Sequence, residues 1–281
     1  MSANAPQIEY WNSEATRWWT ERHEPVDRMF ADITRYVLDT VAPQPGERVL
    51  DIGCATGTTV LALAERVGPD GHVLGADIAE RSVARARERI AASGACNAEA
   101  IVADAAEHDF APGGFDLIFS RFGVMFFVDP VAAFTNLRRA LAPAGRFAAM
   151  AFRTPQENVW ATGMMAAVRD LLPPQPPPDP EAPGQFAWAD EARVRRILGG
   201  AGFRDITLTK LDPMFRLAEP GDAAGAAQRA LTIGPVARIA RELPEEQRRA
   251  LLPPAEAYFR AKEGPDGVVL PAAIWLVRAR P

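Results

Sequence analysis

Short apolar runs and amphipathic stretches alternate through the first half of the chain. Arg48–Gly53 reads Arg-Val-Leu-Asp-Ile-Gly, a buried-strand pattern closed by an acid and a glycine, and Thr58–Arg66 then returns to helical periodicity. After the turn Gly68-Pro69-Asp70-Gly71, His72–Ile78 predicts a second strand and Glu80–Ser93 an amphipathic helix with its arginines outward. Ala100–Asp104, Phe115–Ser120 and Gly145–Phe152 predict three more strands, with a helix at Pro130–Leu141 before the Pro143-Ala144-Gly145 turn. Strands alternating with helices in this way imply an α/β fold, a parallel sheet covered on both faces.

The two ends depart from this rhythm. Glu9–Leu38 is helical in pattern, with Trp11, Trp18 and Trp19 near its start, and Pro25 is expected to divide it into two helices. Residues 173–184 hold seven prolines and predict a stiff loop. Asp190–Leu198 predicts a helix, Ile206–Leu211 a strand, 213–265 a helical insertion rich in Ala and Arg, and Val268–Arg278 a last strand. The expected organisation is an N-terminal helical lid (1–45), a sheet core (46–212), a helical cap insertion (213–265) and the final core strand (266–281).

Composition narrows the function classes. Against 36 Asp and Glu stand 31 Lys and Arg, a net charge of −5, with no concentrated basic surface, so no nucleic-acid partner is expected. Cys54 and Cys96 make neither a disulfide framework nor a zinc pair, and no metal is expected. The first residues show no basic stretch followed by an apolar one, and no run of eighteen apolar residues occurs, so no membrane span is expected and the cytoplasm is the expected location.

The chemistry concentrates where the first strand hands over to its helix. In Val49-Leu50-Asp51-Ile52-Gly53-Cys54-Ala55-Thr56-Gly57, small residues let backbone approach a ligand, and the helix that follows offers free N–H groups. A dinucleotide fingerprint needs glycine at three places that here read Gly53, Ala55 and Thr58, so two of them fail. Asp77 ends the second strand, where a carboxylate is placed to accept from ribose hydroxyls, and Asp104 ends the third. Three acids at successive strand ends share one edge of a parallel sheet, the edge at which such folds bind ligands. Each has a plainer reading as a helix N-cap. Their order together with the loop is what carries the ligand reading.

That loop resembles motif I of the class I S-adenosylmethionine-dependent methyltransferases, and Phe115–Phe127, Phe-Asp-Leu-Ile-Phe-Ser-Arg-Phe-Gly-Val-Met-Phe-Phe, resembles their fourth motif. With Leu141–Phe147 the resemblance covers about residues 46–153, and it is similar to the branch of ubiquinone and menaquinone C-methyltransferases and bacterial small-molecule methyltransferases. It implies a Rossmann-like sheet of seven strands, mostly parallel with the last one antiparallel, and S-adenosyl-L-methionine as cofactor. It places Asp51 near the methionine amino end, Gly53, Cys54, Ala55, Thr56 and Gly57 under the homocysteine portion, Asp77 and Ile78 at the ribose, and Asp104 and Ala105 at the adenine. Ser120 and Arg121 join the expected cofactor set, with Tyr10 and Trp18 of the lid, whose faces suit a sulfonium. Ala55 stands where the motif commonly has glycine. Ser120-Arg121-Phe122-Gly123 lacks the Pro-Pro-aromatic sequence of base-flipping amino methyltransferases.

Phe122, Met125, Phe126, Trp160 and Met164 follow the fourth and fifth strands and are the expected acceptor pocket, against a plain reading as core. His23 is the candidate catalytic base, against a plain reading as a turn residue. The implied function is methyl transfer to O, N or C of a small, largely apolar acceptor, a class that includes aromatic ones. Two alternatives stand beside it: a protein or RNA acceptor, and a cofactor-binding regulatory module. The cap is equally suited to be a homodimer interface.

Overall fold

The alternating pattern folds into a seven-stranded sheet. The computed structural model describes residues 3–175, 179, 181–231 and 234–281. In chain order, α1 (Ala5–Asn12), α2 (Arg17–Glu21) and α3 (His23–Val41) lead into β1 (Arg48–Ile52), α4 (Thr58–Val67), β2 (His72–Asp77), α5 (Glu80–Ser93), β3 (Ala98–Val102), β4 (Phe115–Arg121), α6 (Pro130–Ala140) and β5 (Leu141–Phe152). Next come α7 (Val159–Val168), α8 (Glu191–Gly200), β6 (Arg204–Leu211), β7 (Met214–Ala218), α9 (Ala223–Ala230), α10 (Pro235–Ala240), α11 (Glu245–Ala250) and α12 (Leu252–Arg260). The strands β8 (Glu263–Gly264), β9 (Gly267–Pro271) and β10 (Ile274–Arg280) close the chain. These elements form two units, Met1–Phe152 with Pro183–Lys210 and Trp275–Pro281, and Arg153–Ala182 with Leu211–Ile274.

The first unit holds the sheet, in the order β3-β2-β1-β4-β5-β10-β6. Pairing is parallel from β3 through β5, with Leu50 of β1 opposite Leu74 of β2 on one side and Ile118 of β4 on the other. Strand order reverses between β1 and β4, and a crevice opens at the carboxyl ends of strands at such a switch point. α3 lays Val26, Phe30, Ile33, Val37, Leu38 and Val41 along one buried stripe, and ends at Ala42, left-handed at φ 47°, just before Pro43. The core between sheet and α6 is aromatic: the Phe134 ring lies 5.3 Å from both Phe147 and Trp188 and 5.8 Å from Phe127.

Three expectations about elements change. The N-terminal stretch forms three helices rather than two, and Pro25 does not divide them; it sits in the first turn of α3, where its missing N–H would have no helical partner. The run 268–278 is two strands, β9 and β10, in different sheets, with the change falling between Pro271 and Ile274. The stretch 213–265 contains β7 and β8 as well as helices; β7 buries Phe215 and Ala218, with a shift of register between Arg216 and Ala218.

The second unit carries a three-stranded antiparallel sheet, β7-β9-β8, with α7 and α9 to α12. Asn158 ties two of its segments together: Nδ2 donates to the carbonyls of Thr154 and Ala273, both at 3.0 Å, and Oδ1 accepts from the Ala273 N–H at 2.9 Å. Of the proline-rich stretch, residues 176–178 and 180 lie outside the described residues, and the others form neither helix nor strand.

Phe134→Ala empties the aromatic centre of the first unit. It is expected to lower stability by about 3–5 kcal/mol, read as a fall in the denaturation midpoint at unchanged slope.

Candidate active site

Glycine chemistry shapes the crevice. Gly53 takes φ 69°, and a Cβ built on it would lie 2.8 Å from the Gly123 Cα, so the loop after β1 and the loop after β4 cross backbone to backbone. Ser120 ties that crossing together: its Oγ donates to the Ile52 carbonyl at 2.7 Å and accepts from the Gly123 N–H at 3.1 Å. Gly57, at φ 83°, is the N-cap of α4 and packs against Ala86. Ala55 adopts φ 47° despite its Cβ, a conformation costing roughly 1–2 kcal/mol for a non-glycine residue. Its N–H donates to Asp77 Oδ2 at 2.9 Å, which offsets that cost.

The structure brings the three acids to the same end of β1, β2 and β3. Asp51 is fully buried; Oδ2 accepts from Thr59 Oγ1, while Oδ1 has no hydrogen-bond partner among the described residues. Burial pushes its carboxyl up to about 7, against the pull of the Thr59 bond and of Arg121. Burial also raises Asp77, whose carboxylate accepts from the N–H groups of Ala55 and of Ala79, the latter at 2.8 Å. Asp104 Oδ1 accepts from the Ala106 N–H and from Asn4 Nδ2, both at 3.0 Å. Cys54 is buried against Gly75, and burial raises its thiol, so it packs the loop and stays protonated. Thr56 and Ala105 are buried, and Ile78 presents its carbonyl to Asn12 Nδ2 at 2.9 Å.

The N-terminal helices complete this edge. Asn12 also accepts from the Glu80 N–H at 2.9 Å, and Trp11 meets Phe126 edge to face at 5.3 Å. Tyr10 sits against Trp11 and Trp18 against Trp19, all half-buried. From α3, Asp27 accepts from Thr58 Oγ1 at 2.6 Å and lies 3.0 Å from His23 Nδ1, 3.3 Å from Arg89 Nη2 and 3.7 Å from Arg121 Nη2. Arg89 in turn donates to the Thr56 carbonyl at 2.9 Å. His23 is therefore a buried partner of Asp27 and not a solvent-facing turn residue. Asn4, Asn12, Asp27 and Arg89 carry no local pattern in the chain that marks them for the site, because their partners there lie dozens of residues away.

Beyond β4, Phe122 is held at φ 61°, stacked on Phe152 at 4.2 Å and 5.0 Å from Phe30, over which Arg121 also lies. Met125 is buried, with its carbonyl accepting from the Gly184 N–H. Trp160 and Met164 belong to α7 of the second unit; Trp160 donates through Nε1 to Asn158 and faces Phe215. Among the described residues no group of three His, Cys, Asp or Glu is placed to hold a metal, and no helix is long and apolar enough to cross a membrane.

Residues 43–175 match a methyltransferase domain family. Over 197 residues the chain is 33% identical to the aklanonic acid methyltransferase DauC of Streptomyces sp. (strain C5), covering 66% of this chain and 84% of that one. The chain belongs to the S-adenosylmethionine-dependent methyltransferases. It is 34% identical over 149 residues to the nocamycin O-methyltransferase of Saccharothrix syringae, where it covers 52% of itself and spans about half, 53%, of the relative. It is 28% identical to a demethylmenaquinone methyltransferase of Listeria monocytogenes, over 57% of this chain and 71% of that one. In fold it resembles the Haemonchus contortus phosphoethanolamine N-methyltransferase 2 solved with S-adenosyl-L-methionine, at a TM-score of 0.60 and 16% identity, covering all of this chain and 60% of that one.

The cofactor of this methyltransferase is S-adenosyl-L-methionine, and the residues present fit it. Asp51 Oδ1, buried and without a hydrogen-bond partner among the described residues, is an acceptor that an ammonium would satisfy, and two further carboxylates stand at neighbouring strand ends. An ammonium beside Asp51 favours the carboxylate form. Cofactor affinity is therefore expected to rise with pH up to about 7 and then level off, whereas Asp51→Asn binds weakly with no such slope, as calorimetric titration from acid to neutral pH checks. The ligand-free protein is expected to follow the opposite trend in stability. A carboxyl raised on folding from 3.8 keeps its proton in the folded state, so stability falls as pH rises between these two values.

Proposed function

We propose that the chain methylates an oxygen, nitrogen or carbon of a small, largely apolar and aromatic acceptor and releases S-adenosylhomocysteine. The observation that carries this reading is the aromatic wall beyond β4, with Phe122 held in a strained conformation between Phe30 and Phe152. A non-glycine residue kept at positive φ beside the binding edge stores strain, and such strain gathers at ligand sites. The relatives named for nocamycin and aklanonic acid support a small-molecule acceptor.

In this reading Asp51 takes the cofactor's ammonium, Asp77 the ribose hydroxyls and Asp104 the adenine amino group. The backbone of Gly53–Gly57 lies beneath the homocysteine portion, with Ile78 and Ala105 lining the nucleoside. Tyr10 and Trp18 close the sulfonium side. The cofactor supplies a methyl already activated on sulfur. What the chain adds is orientation and exclusion of water, and fixing the acceptor behind that methyl is worth up to about 7–11 kcal/mol. Phe122, Met125 and Phe126 hold the acceptor ring.

His23 is the base in this account. When neutral, its Nδ1–H donates to Asp27 Oδ2, which leaves Nε2 to take a proton from an acidic acceptor. His23→Gln is expected to lower turnover of a phenolic acceptor about 10²–10⁴-fold and to flatten its pH profile. An unchanged profile removes His23 from the chemistry.

The functional test is release of S-adenosylhomocysteine with phenols, quinols, amines, thiols and carboxylates as acceptors. Release with one class of small aromatic acceptor is expected; release only with protein or RNA, or with none of these, contradicts the proposal.

A further inference from the structure

Asn4 stands at the N-cap of α1, where an asparagine ordinarily turns its side chain back onto the first N–H groups of its own helix. It makes no such bond. The side chain is buried, at 4% exposure, and both ends of its amide reach other parts of the binding edge. Nδ2 donates to Asp104 Oδ1 at 3.0 Å, and Oδ1 accepts from the Val128 N–H at 3.2 Å, so one side chain spans the loops that follow β3 and β4. The same Asp104 oxygen accepts from the Ala106 N–H. Two donors converging from different segments fix the rotation of the carboxylate.

We propose that Asn4 is a positioning residue for cofactor selection, orienting the Asp104 carboxylate so that it reads the 6-amino group of adenine. The proposal rests on the assignment of Asp104 to adenine made above. An ionised carboxylate only accepts hydrogen bonds. Held in one orientation, it rewards a purine with an amino donor at position 6 and rejects one with a keto oxygen, which would face it as a second acceptor. A carboxylate free to rotate loses part of that discrimination by turning away. The far end of α1 is docked independently, through Asn12 to the Ile78 carbonyl and the Glu80 N–H, so the helix remains anchored when Asn4 is changed.

The experiment is calorimetric titration of the full chain with S-adenosylhomocysteine and with its hypoxanthine counterpart, S-inosylhomocysteine. Wild type is compared with Asn4→Ala, Asn4→Asp, Asn12→Ala and Asp104→Asn. Asn4→Ala and Asn4→Asp are expected to lower the preference for the adenine ligand by about tenfold. Asn12→Ala loosens the helix and weakens both ligands alike, leaving the preference as in wild type. Asp104→Asn, whose amide donates to a keto oxygen, loses or inverts the preference. If both Asn4 variants keep the wild-type preference while Asp104→Asn loses it, Asn4 only docks the helix and the proposal is overturned. If Asp104→Asn also keeps it, the adenine assignment falls, and the role of Asn4 with it.

Discussion

The site depends on one close approach of backbone to backbone, between Gly53 after β1 and Gly123 after β4. A Cβ on Gly53 would meet the Gly123 Cα at 2.8 Å, and one on Gly123 would meet the Ile52 carbonyl at 2.7 Å. The two central strands can thus end side by side only if both loops lack side chains there. Ser120 locks the approach from beneath. Once these loops are nested, Asp51, Ala55 and Phe122 have little freedom left, and two of them accept left-handed backbone as the consequence. The crevice at the switch point is therefore a product of steric exclusion at the centre of the sheet, with polar chemistry added at its rim.

That rim is where charge is handled. Asp51 is buried with one oxygen unpartnered, an arrangement that is unfavourable for the empty protein and relieved by a cationic ligand group. On the other side, Asp27 gathers His23, Thr58, Arg89 and Arg121 and so couples α3 to the loop at Thr56 and to the end of β4. The helices before β1 are accordingly part of the site's electrostatics as well as its cover.

Much of this was legible in the chain. Arg48–Gly53 and Glu80–Ser93 declare themselves because strand burial and helix amphipathicity are local, and the strand–loop–helix order alone brings Asp51, Asp77 and Asp104 to one edge. The rest was not legible, for physical reasons that differ by residue. Asn4 carries the residue type of an N-cap, and nothing short of its three-dimensional neighbours shows that it bonds Asp104 instead. Asp27 looks like one more charge on a helix until Arg89 and Arg121 close on it. Residues 268–278 alternate like one strand, and nothing in that alternation shows that pairing changes sheets between Pro271 and Ile274. Ser120 is buried between Ile52 and Gly123 and holds the loops together, a role set by backbone partners from two distant segments.

The central claim, that the edge formed by β1, β2 and β3 is a cofactor site built for S-adenosylmethionine, is tested most directly by a crystal structure with S-adenosylhomocysteine. Its ammonium is expected against Asp51 Oδ1, its ribose hydroxyls on Asp77 and its adenine beside Asp104 and Asn4. A ligand bound elsewhere, or one whose ammonium leaves Asp51 Oδ1 unpartnered, would contradict it.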